Sequence, residues 1–321
     1  MLSRTRKKEK LAIADGGKLG MSVKSTIDSS LKASLPAGLY AAIRSSGKEI
    51  IQHRLPSWIG QVPVARAGRT LYRRWVSSCR ARRDPAEQWL KGVNEEIGFW
   101  EHWLDRKDAP DYAERVNPSG RLLDDLVVRR LPPDRSYIRI LDVGSGPVSS
   151  LGFPRSPDGR QIELTAADPL ASSYKELLHR YGIDPPAWPI PVAAEELSTR
   201  FGDGVFDLVY CANALDHSAN PLLGIRQMLR VVRPGCYVIL THEPNVAESE
   251  AYAGLHGWSF DEREGRFIIR RGFRETDIGQ ILGRNAEVSV CRTPVPLLDG
   301  LWICASIRRL PELHGDLAVT N

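Results

Sequence analysis

From Pro118 onward, short apolar runs alternate with amphipathic segments of helical period, and this rhythm constrains the chain more than any other feature. Strand-like runs at 138–143, 162–167, 206–211 and 237–241 are separated by helical patterns at 172–181, 194–201 and 221–232. Apolar strand-like runs alternating with helical segments are the signature of a parallel sheet covered on both faces. The expected fold is α/β, a Rossmann-like, doubly wound, mostly parallel sheet. Near the end the rhythm breaks. Runs at 287–291 and 301–307 are joined through Pro294, Pro296 and Gly300, which predicts a terminal hairpin with an antiparallel strand.

Ahead of this region the chain is of another kind. Residues 1–83 hold 18 Lys and Arg against 4 Asp and Glu, about +14; since the whole chain of 321 residues is +5, the remainder is about −9. The first thirty residues are rich in Lys, Ser and Gly with little periodicity, a composition that favours disorder. Helical patches follow at 38–52 and 66–83, and a longer helix is predicted at 86–106, where Trp89, Ile97, Phe99, Trp100 and Trp103 suggest a packed face. The expected division is a helical basic extension over 1–85, a helical lead-in over 86–130 and the main domain over 131–321. No apolar run approaches the roughly 18 residues that a membrane span requires, and no signal peptide is evident, so a cytoplasmic protein is expected. Cys79, Cys211, Cys236, Cys291 and Cys304 form no C-x-x-C pair and suggest neither a disulfide framework nor a metal site. Cys211, Cys236 and Cys304 read as core thiols.

The first strand of the rhythm ends in Asp142-Val-Gly144-Ser-Gly146, where glycines let backbone approach a ligand closely. A lone glycine-rich turn is weak evidence. Here, however, Asp168 closes the next strand 22 residues after Gly146, the position from which an acid reaches ribose hydroxyls. A dinucleotide-binding turn calls for glycine where Ser149 stands.

With Phe206-Asp207-Leu208-Val209 following in order, the sequence resembles the class I (Rossmann-like) S-adenosylmethionine-dependent methyltransferase family. The resemblance runs from about Ile138 to Thr241. It implies that Asp142, Gly144 and Gly146 border the methionine part of S-adenosylmethionine, that Asp168 holds the ribose, and that Ala194 and Glu195 border the adenine, with Asn213 also in the cofactor pocket. Val148 and Ala193 depart from the family pattern, which leaves the adenine contacts less defined than the ribose contact.

Methyl transfer from a sulfonium depends mainly on alignment of donor and acceptor, so no metal is expected. A hydroxyl acceptor must also lose a proton, and histidine is suited to take it. His217, His242 and His256 follow strand ends on the side where open α/β sheets bind ligands, and they are the candidate catalytic residues. His217 reads as a cofactor-pocket or structural residue ahead of a base, and His242 equally as a buried histidine closing a loop. The stretch from Tyr252 to Phe260 reads either as a substrate lid or as an aromatic clasp over the sheet. The expected function is O-methylation of a small molecule or a glycan. Alternatives are an RNA methyltransferase that uses the basic extension, and a non-catalytic module that keeps the cofactor fold. The arginines from Arg66 to Arg83 suggest a solvated face or contact with an anionic membrane surface, ahead of contact with nucleic acid.

Overall fold

The computed structural model describes residues 77, 80–294 and 300–311. The helical patch at 38–52 and most of that at 66–83 lie outside these residues, as does the composition-based expectation of disorder. Among the described residues no helix is long and apolar enough to cross a membrane.

Helix α1 (Pro85–Arg106) begins where the sequence supplies both start signals: Asp84 accepts the Ala86 N–H, and Pro85 occupies the first turn, where its missing donor costs nothing. The helix ends at Lys107, in the left-handed conformation. Strands β1 (Tyr137–Val143) and β2 (Gln161–Ala167) follow, then α2 (Ala171–Tyr181), β3 (Phe206–Ala212), α3 (Pro221–Val231) and β4 (Val232–His242). Asn220 caps α3 by accepting the Leu223 N–H. A three-stranded antiparallel sheet comes next, β5 (Ser259–Arg263), β6 (Arg266–Arg271) and β7 (Arg274–Asp277). The chain closes with β8 (Ala286–Pro294) and β9 (Leu301–Arg309).

The main sheet has the order β8-β9-β4-β3-β1-β2. Strands β2, β1, β3 and β4 are parallel neighbours, while β9 runs antiparallel to both β4 and β8, so the expected terminal hairpin forms and docks on the sheet. Beyond β2 a single bridge between Ala167 and Ile190 marks the edge. Side chains alternate across the strands: Leu141, Val143, Val209, Cys211, Val238 and Leu240 enter one core layer, Ile138, Ile140, Leu208, Tyr210 and Ile239 the other. Both faces are covered, and positions on both faces of β1, β3 and β4 are largely apolar. Cys211, Cys236 and Cys304 are buried free thiols.

Two regions differ from the sequence reading. The stretch expected as a lead-in contributes to the core: Trp103 and Leu104 of α1 pack with Val148 and Tyr174, and Leu123, Val127 and Leu131 pack beneath β1. The small sheet was not anticipated, although its first hairpin has a legible signal. Glu264 and Gly265 both have positive φ, 53° and 74°, as a two-residue hairpin turn of the primed type requires, with Arg263 opposite Arg266. Phe260, Phe267 and Ile269 anchor this sheet in the main core.

Candidate active site

Strand β1 has β2 on one side and β3 on the other, and the chain therefore leaves the sheet in opposite directions at its C-terminal end, which opens a crevice there. Gly144 and Gly146 line that crevice with φ of 68° and 64°, values that L side chains rarely adopt. A Cβ on Gly144 would lie 2.3 Å from the Ala214 Cβ, and one on Gly146 would lie 2.6 Å from the Trp100 ring. Glycine is therefore required at both positions by conformation and by space. Gly144→Ala is expected to lower stability by roughly 2–4 kcal/mol, combining left-handed strain with overpacking against Ala214. Urea unfolding would read this loss.

Asp168, buried at the end of β2, accepts the Gly146 N–H at 3.0 Å on one carboxylate oxygen and the Leu170 N–H at 2.8 Å on the other. Burial drives its pKa up to about 7 against these two hydrogen bonds, and the neighbouring charges of Glu96 and Asp142 add to the rise. Asp142 is also buried. Ser149 donates to it at 2.6 Å and in turn accepts the Leu151 N–H, so the acid holds the turn that follows the glycines. Burial raises the Asp142 pKa to about 6, with the Ser149 hydrogen bond opposing. Ser149, where a dinucleotide turn would have glycine, thus has a task of its own.

Asn213 joins the ends of β3 and β4. Its N–H donates to Thr241 O at 2.7 Å, and its side-chain oxygen accepts the Glu243 N–H. Ala194 lies beneath α3, where a Cβ on Gly224 would meet it at 3.1 Å. Glu195 accepts the Asn220 N–H at 2.9 Å, so its carboxylate is occupied at the start of α3.

The three candidate histidines separate. His242 has no exposed surface and stacks on Phe260 with ring centroids 4.1 Å apart; neither ring nitrogen has a hydrogen-bond partner, and burial drives its pKa down to about 4. The expectation of a base at the pocket rim is corrected here: the last residue of β4 still points into the core layer above the sheet. His217 and His256 instead come together. His217 Nε2 lies 3.2 Å from His256 Nδ1, and Asp216 Oδ2 lies 3.4 Å from the first and 2.8 Å from the second. Asp216 is fully buried, whereas the histidine side chains are 19% and 30% exposed, so the group opens to solvent on the histidine side. Burial pulls the Asp216 pKa upward, but His217 and His256 outweigh it and hold the acid below its ordinary value. For His256, burial pulls downward and Asp216 more than compensates.

The segment carrying His256 is pinned from several sides. Gly257 N–H donates to Asp216 O, Trp258 Nε1 donates to Ser218 O at 2.9 Å, and Gln88 of α1 donates to Tyr252 O, Gly254 O and His256 O. Arg271 of β6 fastens it from below, donating to Gly257 O and Gln88 Oε1 while its guanidinium lies over the Tyr252 and Trp258 rings. Tyr252 and Trp258 therefore form a clasp around an arginine. Ala251 and Tyr252 have successive positive φ of 52° and 55°, a strain that these contacts sustain.

The sequence reading missed α1 as part of the site. Glu96 accepts the Trp100 Nε1–H at 2.8 Å, and its other carboxylate oxygen lies 3.6 Å from His217 Nδ1. The spacing of Glu96 and Trp100 by one helical turn was visible, but nothing local says that this face meets the glycine turn.

The fold, the glycine turn and the buried acid after β2 define a Rossmann-like class I methyltransferase. A family model described as a methyltransferase domain matches residues 112–285, more than half of the chain, and the chain belongs to this family. The matched stretch is thus a methyltransferase domain of the S-adenosylmethionine-dependent kind. No curated protein matches significantly. Solved structures that match include the [4+2]-cyclase SpnF, 25% identical, with 37% of this chain and 43% of that one covered at a TM-score of 0.29. The CMeT domain of the citrinin polyketide synthase is 19% identical, with 58% and 50% covered and a TM-score of 0.40. The Burkholderia thailandensis 1,6-didemethyltoxoflavin-N1-methyltransferase, solved with 1,6-didemethyltoxoflavin and S-adenosylhomocysteine, is 14% identical, with 71% and 91% covered and a TM-score of 0.40. The chain thus spans half or less of the first two proteins.

The residue types fit the cofactor: a turn with two glycines at left-handed φ, packed here by Ala214 and Trp100, followed by a buried carboxylate at the strand end. Gly144 and Gly146 would admit the methionine part and Asp168 would hold the ribose. When bound, S-adenosylmethionine supplies a methyl group on a positively charged sulfur.

Proposed function

We propose that this enzyme methylates a hydroxyl oxygen of a small molecule. The observation that carries the reading is the group formed by Asp216, His217 and His256, partly open to solvent and next to the glycine turn through Ala214 and Glu96. A hydroxyl is a poor nucleophile until its proton is removed or its oxygen is otherwise made more acidic, and this group offers buried negative charge and two imidazoles for that purpose. The remainder of the crevice binds and aligns: the glycine turn fixes the donor, and α1 with Glu96 and Trp100 closes it from above, excluding water.

An acceptor screen with methyl-labelled S-adenosylmethionine tests the reading. The expected product carries the label as an O-methyl ether or ester, identified by the carbon chemical shift of the methyl group. In His217→Gln and His256→Ala the turnover is expected to fall by about 10²–10⁴-fold, with S-adenosylhomocysteine affinity retained. Label found on nitrogen or carbon in the wild-type product would refute it.

A further inference from the structure

We propose that Asp216 Oδ2, His217 Nε2 and His256 Nδ1 form a binding site for a divalent transition metal ion, on which the acceptor's hydroxyl oxygen is held. This deepens the O-methylation reading and rests on it. The three atoms come from two separate stretches of chain and converge with separations of 2.8, 3.2 and 3.4 Å. An ideal tetrahedron with bonds of about 2.0–2.1 Å has edges of about 3.3–3.4 Å, so a cation fits between these ligands with small adjustments. With His256 protonated on Nε2 and His217 on the Nδ1 that faces Glu96, three lone pairs face one another, which a cation satisfies together and a single proton does not. The second oxygen of Asp216, Oδ1, is buried without a hydrogen-bond partner, an unsatisfied acceptor that a cation's charge would compensate.

The surroundings have the form of a metal site. Glu96 Oε2 stands 3.6 Å from His217 Nδ1, the nitrogen facing away from the three-atom group, as an outer carboxylate that orients a ligating imidazole. Among the described residues this is the one group of three such side chains whose ligand atoms lie within 4.8 Å of one another. The Gly257 N–H donating to Asp216 O and the Gln88 side-chain amide donating to His256 O hold both stretches in register. Two imidazoles and one carboxylate favour Zn²⁺, Mn²⁺, Fe²⁺ or Co²⁺ over Mg²⁺ and Ca²⁺, which take oxygen ligands. Three protein ligands leave positions open, and the partial exposure of both histidines is where an acceptor would enter.

The chemistry balances without redox change. A hydroxyl on a divalent ion is more acidic and loses its proton to solvent. The oxygen then forms a bond to the methyl carbon while the carbon–sulfur bond breaks, its electron pair remaining on sulfur to give the neutral thioether.

The test uses the full-length chain without a histidine tag, stripped with chelator and titrated with Co²⁺ by absorbance and with Zn²⁺ by calorimetry. The expected result is saturation at one ion per chain with visible absorption bands of low-coordinate Co²⁺. Asp216→Asn and His256→Ala should abolish both, Glu96→Gln should weaken them about 10–100-fold, and His102→Ala, an exposed histidine of α1, should leave them unchanged. S-adenosylhomocysteine binding by each variant reports that it is folded. Absence of saturable binding by the wild type, or binding that survives both Asp216→Asn and His256→Ala, overturns the proposal. O-methylation that persists at full rate in chelator also overturns it, while leaving the O-methylation reading intact; label on nitrogen or carbon removes the reading itself, and the metal titration still stands or falls separately.

Discussion

Asp168→Ala is expected to raise the dissociation constant for S-adenosylhomocysteine by about 10²–10⁴-fold, from the loss of two charge-assisted hydrogen bonds to ribose hydroxyls worth roughly 1.5–3 kcal/mol each. Calorimetric titration measures this directly. The neutral ligand is the better probe because it carries no sulfonium charge to interact with Asp142 or Glu96. A pH dependence follows from the same residue. In the free protein Asp168 is pushed up to about 7 by burial, yet donating hydroxyls favour its ionised form. Ligand affinity should therefore rise with pH between about 5 and 7 and level off above, and this rise should vanish in Asp168→Asn.

The stability of the free enzyme should move the other way. The folded state holds the Asp168 proton to about pH 7 and the Asp142 proton to about 6, whereas an unfolded chain releases both near 4. The native state thus binds more protons across this window, and stability falls as pH rises through it. Thermal unfolding at pH 5 and pH 8, with and without ligand, checks both signs together: stabilisation by the ligand should be larger at pH 8. A stabilisation independent of pH would mean that Asp168 is ionised throughout.

Asp207→Ala should cost about 3 kcal/mol of stability and lower Tm by roughly 6–12 °C, with little change in ligand affinity for the molecules that remain folded. Asp207 is buried near the N-terminal end of β3, where it accepts the Arg139 N–H at 2.9 Å, pairs with Arg233, and lies 3.3 Å from Arg135. Removing it strands a buried backbone donor and two arginines. Both arginines are partly exposed and regain water, which keeps the cost toward the lower end for a broken buried pair. Thermal unfolding reads the shift. Loss of ligand binding in folded Asp207→Ala would assign this acid to the cofactor crevice instead of the opposite end of the sheet.

Asp207 also illustrates what the sequence can and cannot say. The Phe206-Asp207-Leu208-Val209 run helped identify the family, yet its acid ties strand ends together far from the glycine turn. The parallel sheet was legible because apolar strand-like runs alternate with helical segments, and the terminal hairpin because its two runs flank proline and glycine. Asp168 was legible as an acid at the end of β2, and the structure buries it against the glycine turn, where it accepts the Gly146 N–H. The histidine group was only half legible. His217 and His256 were both singled out, but their meeting depends on Gln88 and Arg271, which are remote in sequence and ordinary in composition. His242 was placed at the rim because it ends a strand, while a residue's side of the sheet depends on register to a single position. Glu96 was beyond reach for a related reason: which turn of α1 faces the crevice is decided by packing of Trp100 and Trp103 against Tyr174 and Tyr112.

The place of β9 in the sheet has a consequence for the order in which the molecule can be made. Every residue assigned to the crevice, from Glu96 to His256, is synthesised before residues 301–309, yet β4 finds its outer partner only in that last strand. A nascent chain thus carries a complete set of site residues on a sheet whose growing edge is apolar and unpaired, the kind of edge that recruits other chains. Completion waits on a long-range, late pairing, which slows folding and lengthens the interval at risk. Ile303, Ala305 and Ile307, which seat that strand in the core, therefore bear on how much of the enzyme reaches its folded state at all.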